Sequence, residues 1–206
     1  MRKIWLPILL SGLLWSACNK LEVPDSGFET PVFRLSFDAD SVITSKIAGE
    51  DDTYLFTRVD RGADGVLVLT GAFANSDCPN SDCPGSVRFE FRNDQDENFV
   101  TPGELFRPDQ EWAYKSPLSD SLALHTVAIQ WVTPEGRVLR SDLIPQPQDT
   151  FFMSEFRVLN SEPWEKNERG ESTWKMELFF SCWLFDALQG QERRIMGSGT
   201  IAVGYR

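Results

Sequence analysis

The sequence predicts an all-β chain folded as a single antiparallel β-sandwich domain of immunoglobulin-like or jelly-roll-like type. Three observations carry that expectation. From Val32 onward apolar side chains recur at every second position, the spacing of a strand with one buried face. Clusters rich in Asp and Gly punctuate these segments as turns do. No stretch sustains a helical repeat. Hydrophobic residues at 41% and aromatics at 12% exclude a disordered polymer, and 206 residues suffice for a sizeable core.

The elements follow in order. Phe33, Leu35 and Phe37 alternate with Arg34, Ser36 and Asp38, which predicts an opening strand. Turn-like Gly49-Glu50-Asp51-Asp52 separates it from a strand over residues 53–59, and a second Asp- and Gly-rich turn precedes a strand over 65–74. Residues 86–92 place Val87, Phe89 and Phe91 on one face and Arg88, Glu90 and Arg92 on the other. Residues 93–121, interrupted by Pro102, Pro108 and Pro117, are an irregular interval long enough to be functional or to hide a short element. Residues 122–132 and 137–140 read as a hairpin around Thr133-Pro134-Glu135-Gly136, and 150–159 as a further strand. A charged excursion over 164–172 leads into a long strand over 173–186. There Trp174, Met176, Leu178, Phe180, Cys182 and Leu184 share one face, with Phe179, Trp183 and Phe185 on the other, the pattern of a central strand covered on both sides. Gly197-Ser198-Gly199 reads as a turn or bulge before a closing strand over 200–206. Phe89, Phe91, Phe180, Cys182 and Val203 are expected in the core.

The N-terminal segment has a different character. Arg2 and Lys3 give a positive start, an apolar run covers residues 4–14, and small residues Ser16 and Ala17 precede Cys18. That order is a secretory signal, and the run is shorter than the roughly 20 apolar residues of a membrane span. With a cysteine at the cleavage point, the segment resembles the lipobox of bacterial lipoproteins. The resemblance covers only this segment. It implies that Cys18 is diacylated and becomes the new N-terminus, anchoring the chain in the bacterial envelope as an outer-membrane lipoprotein facing the periplasm or the exterior. Residues 1–17 are then signal peptide, 18–31 a lipidated start and flexible tether punctuated by Pro24, Gly27 and Pro31, and 32–206 the β domain. Asn19-Lys20-Leu21-Glu22 is partly similar to the export address of surface lipoproteins in Bacteroidota.

Charge limits the partners. The chain carries 20 basic against 31 acidic residues, a net charge of −11, and removal of Arg2 and Lys3 with the signal leaves 18 against 31, about −13. Such a surface repels phosphate backbones, so no nucleic-acid partner is expected, and membrane attachment must come from the lipid.

Few residues suggest chemistry. Asn75-Ser76-Asp77-Cys78-Pro79 is repeated at once as Asn80-Ser81-Asp82-Cys83-Pro84, and in an oxidising compartment the expected outcome is a Cys78–Cys83 disulfide. A zinc site would have to recruit His125 and Cys182, and C-x4-C lies at the edge of the usual ligand spacing. Cys182 and His125 instead sit on apolar strand faces, as packed residues. His125 is the one histidine in the chain, so any Ser–His or Cys–His mechanism would depend on it, and no serine lies in G-x-S-x-G. Glu90 and Glu177 both fall in predicted strands. They keep a carboxylate-dependent glycoside hydrolase as the alternative function, since such enzymes need two acids at a set distance and no local motif. Residues 94–98 begin like an EF-hand loop, but Phe99 and Leu105 occupy its glycine and bidentate-glutamate positions. A looser calcium site drawn from Asp38, Asp40, Asp51 and Asp94 is left open. No other metal site and no cofactor is expected.

The favoured expectation is a non-catalytic binding or structural module with a glycan or protein partner. Trp112 and Tyr114, within 93–121, are the candidate pair for stacking on sugar faces. The competing account tucks these aromatics, with Phe99 and Phe106, beneath the loop as a satellite core. A protein partner would call instead for an exposed apolar patch or an open sheet edge.

Overall fold

The structure is a computed structural model that describes residues 33–61, 66–78, 82–93, 101–108, 110–114, 125–147, 153–167, 169–186, 188 and 192–205. Cys18, the 18–31 tether, Asp94 with the EF-hand-like start, and Phe99 lie outside the described residues. The first strands are β1 (Arg34–Ala39), β2 (Val42–Ile47), β3 (Thr53–Arg61), β4 (Leu67–Asn75) and β5 (Val87–Asn93). A short helix α1 (Pro102–Leu105) and a two-residue strand β6 (Ala113–Tyr114) follow. The remainder is β7 (His125–Val132), β8 (Val138–Arg140), β9 (Glu155–Trp164), β10 (Ser172–Asp186) and β11 (Glu192–Tyr205).

The chain is all-β, as its alternation requires. The eleven strands form one sheet in the order β2-β1-β11-β10-β8-β7-β5-β4-β3, with β6 beside β7 and β9 beside β10. Every pairing is antiparallel except β6 with β7. The two facing layers are therefore halves of a single sheet, curled until β11 lies against β3 and β4 in a nearly closed barrel.

Glycine makes that curl possible. A Cβ at Gly197 would lie 2.4 Å from the Ser36 carbonyl oxygen and 2.5 Å from Phe37 Cβ, and one at Gly71 would lie 2.3 Å from the Ala202 carbonyl oxygen. No side chain fits at these points where β1 pairs with β11 or where β4 meets β11. Gly197-Ser198-Gly199 is accordingly not a turn. It lies within β11, paired with β1 on one side and β10 on the other, and β11 begins at Glu192 instead of near residue 200. The glycines interrupt the hydrophobic alternation because backbone occupies the space, not because the strand ends.

Three more elements differ from the sequence expectation. Strand β2 has little alternation, with Val42 64% and Ile43 76% exposed, so nothing in its pattern marks a buried face. Strand β9 lies further along than 150–159 and runs through Pro163, which is tolerated because β9 pairs with β10 alone. Helix α1 is the short element inside 93–121. Thr101 caps it by accepting from Glu104 N while Glu104 accepts from Thr101 N, with Pro102 opening the first turn.

The expected core holds. Phe89, Phe91, Phe180, Cys182 and Val203 are all buried, and the Phe180 ring meets Phe89 edge-on at 5.5 Å and Phe37 at 6.3 Å. Cys78 and Cys83 form the expected disulfide, tying the end of β4 to the approach of β5.

Candidate binding groove

A groove of about 690 Å³ opens between β3, the outer faces of β4 and β5, and the 165–171 segment that joins β9 to β10. Strand alternation builds its floor. Leu55 and Val59 pack toward the core, so Tyr54, Phe56, Arg58 and Asp60 project from the opposite face of β3. Across β4 they stand opposite Ala74, Ala72, Thr70 and Val68, and Ala72 and Thr70 in turn stand opposite Arg88 and Glu90 of β5. A row of small side chains between two rows of long ones is a trough.

Aromatic rings line the groove at two places. Tyr54 is 47% exposed and its ring lies 6.4 Å from that of Phe56. Trp164 borders the same groove, held edge-on by Phe33 at 5.7 Å with Lys175 Nζ 4.4 Å from the ring centre.

The β5 side is a polar network. Arg88 pairs with Asp82 at 3.2 Å and with Glu90 at 3.1 Å, and donates to Gln130 Oε1 at 2.7 Å. Gln130 is buried, donates to Asp82 Oδ1 and accepts from Arg140 Nη1. Arg140 grips Asp142 through Nε and Nη2 at 2.8 and 2.9 Å, and those bonds with the neighbouring acid raise its guanidinium pKa further. These groups hold one another in place and so form a preset wall. Lys166 and Arg169, on the facing segment, are exposed and have no ion pair among the described residues.

The residues singled out from sequence lie elsewhere. Trp112 is only 7% exposed, stacked on Phe106 at 5.6 Å and set edge-on to Phe91 at 5.1 Å. Tyr114 donates its hydroxyl to the Glu155 carbonyl at 3.0 Å, and burial pushes its phenol pKa well up. The proposed sugar-stacking pair thus packs on the core, Trp112 within it and Tyr114 partly buried against it. The Trp112 ring is covered because it packs between Phe106 and Phe91. His125 packs beside Trp112 at 5.6 Å, and Cys182 is fully buried with its thiol pKa raised by desolvation.

Carboxylate and metal candidates are dispersed as well. Glu90 on β5 and Glu177 on β10 have β7 and β8 between their strands, and Glu90 is engaged by Arg88, Arg92 and Arg140. The two do not converge on one cleft. Asp40 and Asp51 flank β2 at opposite ends, about 20 Å apart for a strand of that length. Asp40, Ser41, Asp51 and Asp52 have φ of 52°, 70°, 48° and 55°. The three Asp among them are left-handed turn residues, a conformation Asp tolerates better than most side chains. Among the described residues no group of three or more His, Cys, Asp or Glu gathers as metal ligands would.

Sequence reasoning missed Tyr54, Phe56 and Trp164 as a site. The local signal was present, since Tyr54 and Phe56 take the polar face of a predicted strand, but only the curl brings that face and Trp164 together. Comparison with protein-family models, with curated proteins and with solved structures finds no match.

Proposed function

We propose that this chain is a non-catalytic binding module, held at the bacterial envelope by lipid on Cys18, and that a protein partner docks in the groove beside β3. The observation that carries the reading is the groove itself: half-exposed Tyr54 and Phe56 along β3, Trp164 at its border, and a hydrogen-bonded polar wall on β5. Ligand sites combine these features, an apolar lining with a few fixed polar groups. Burial of Trp112, with Tyr114 partly buried and hydrogen-bonded to Glu155, weighs against the aromatic pair that favoured a glycan, and β3 supplies the terminal sheet strand that a protein partner calls for. The order of charged start, apolar run and Ser16-Ala17-Cys18 supports the lipid anchor.

The test is site-specific photo-crosslinking in intact cells. A photoreactive phenylalanine analogue at position 54 is expected to give a discrete protein adduct that the same analogue at exposed position 157 does not. Identical adducts from both positions, or none from position 54, would remove the groove as the docking site.

A further inference from the structure

We propose that the outward edge of β3 is a strand-addition site for an extended, acidic polypeptide segment of the partner, an inference that rests on the groove being the docking site. The direction of each backbone group on β3 follows from two hydrogen bonds at its start. The Asp52 carbonyl accepts from Ser76 N at 3.2 Å, whereas the Thr53 carbonyl turns the other way and accepts from Gly49 N at 2.8 Å. Residue 53 stands opposite 75 and 54 opposite 74. In an antiparallel pair the backbone groups of successive residues point alternately toward and away from the partner. Tyr54, Phe56 and Arg58 therefore direct their N–H and C=O groups at β4, and Leu55 and Thr57 direct theirs away from it.

Those outward groups are unused. Strand β3 ends the sheet, and among the described residues no hydrogen bond reaches the backbone N–H or C=O of Leu55 or Thr57. Asn167 approaches Thr57 through the hydroxyl alone. Both residues line the groove, so these free donors and acceptors face its space. An extended peptide is the ligand whose own backbone matches such groups, and its alternate side chains would lie beside Tyr54 and Phe56. The edge carries no proline or bulge that would block pairing. Strand β2 is the other end of the sheet, but the groove does not extend along it.

Charge selects the kind of segment. Within an acidic chain, this groove is lined by four cationic side chains, Arg58, Arg88, Lys166 and Arg169, against three anionic ones. Arg58 and Arg88 are paired with acids, which leaves Lys166 and Arg169 available to carboxylates on the incoming strand.

The test uses the mature full-length chain, a display library of random nine-residue peptides, and the variants Thr57→Pro, Thr57→Val and Lys166→Glu with Arg169→Glu. Proline at 57 removes an outward N–H that β4 does not use, and valine removes only the hydroxyl. Selected peptides are expected to be free of central proline, to carry Asp or Glu, and to bind wild type and Thr57→Val alike. Binding should fall about tenfold on Thr57→Pro and several-fold on the double charge reversal. Circular dichroism and thermal unfolding check that each variant folds. If Thr57→Pro does not fold, amide hydrogen exchange on the wild type decides, since a bound peptide must slow exchange at both Leu55 and Thr57. Overturning results are the absence of any enriched peptide, binding indifferent to Thr57→Pro, no added protection at those two amides, or selected peptides without acids. Adducts at position 54 with any of these results would remove strand addition and leave the groove standing. Loss of the adducts would remove the groove itself.

Discussion

Asn167 and Thr57, far apart in the chain, meet through a hydrogen bond of 3.0 Å from Asn167 Nδ2 to Thr57 Oγ1. The same Asn167 side chain folds its own segment, accepting from Arg169 N at 3.0 Å and Glu171 N at 2.9 Å and donating to Glu171 Oε2 at 2.9 Å. One amide thus shapes the 165–171 turn and ties it to β3. Replacing Asn167 with Ala should cost about 2 kcal/mol, because several partly buried partners lose a bond together. Urea unfolding measures the loss, and exchange of the amides at 169 and 171 should rise while that of central β10 stays unchanged.

Gly197→Ala should be among the most damaging small substitutions in the chain. Its methyl would meet the Ser36 carbonyl and Phe37 Cβ at 2.4 and 2.5 Å, contacts that only movement of β1 can relieve. Overpacking against backbone costs about 3 kcal/mol. A midpoint of denaturation equal to that of wild type would show that β1 does not press on β11 at this point.

Phe180 is fully buried between Phe89 and Phe37. Truncation to Ala should destabilise the chain by about 3–5 kcal/mol, the range for a large aromatic whose cavity cannot collapse. The same measurement on Phe56→Ala should show a much smaller loss, because its ring lies in the groove and not in the core.

The Cys78–Cys83 disulfide closes a short loop with a sequence separation of 5. Chain-entropy arguments assign such a loop about 2 kcal/mol, less than a long crosslink gives. Paired Cys78→Ser and Cys83→Ser substitution should lower stability by about that amount and leave the far-ultraviolet circular dichroism unchanged. Conversion to a molten chain would mean that the bridge does more than restrict the unfolded state.

Mass spectrometry of protein purified from membranes should find residue 18 as a diacylated N-terminal cysteine and no peptide from residues 1–17. An unmodified Cys18, or a retained leader, would remove lipid anchoring and leave the groove unaffected.

Local pattern alone determined the strand class, the core and the disulfide. Period-two alternation is imposed by burying one face of a strand, so Phe89, Phe91 and Phe180 declared their positions without knowledge of the neighbours. The repeated Asn-Ser-Asp-Cys-Pro placed two thiols within reach whatever the topology. Where burial is not one-sided, the pattern fell silent: β2 exposes both Val42 and Ile43, and the glycines of β11 answer to the backbone of β1, a neighbour more than 150 residues away in sequence. The site belongs to the same class. Tyr54, Phe56, Trp164 and Arg88 look like unremarkable surface positions of three separate segments, and the sequence allows Trp112 to be either an exposed ring or one tucked beneath its long loop. Only the curl of the sheet, set by contacts distant in sequence, brings the first four to one groove and packs Trp112 against Phe106 and Phe91.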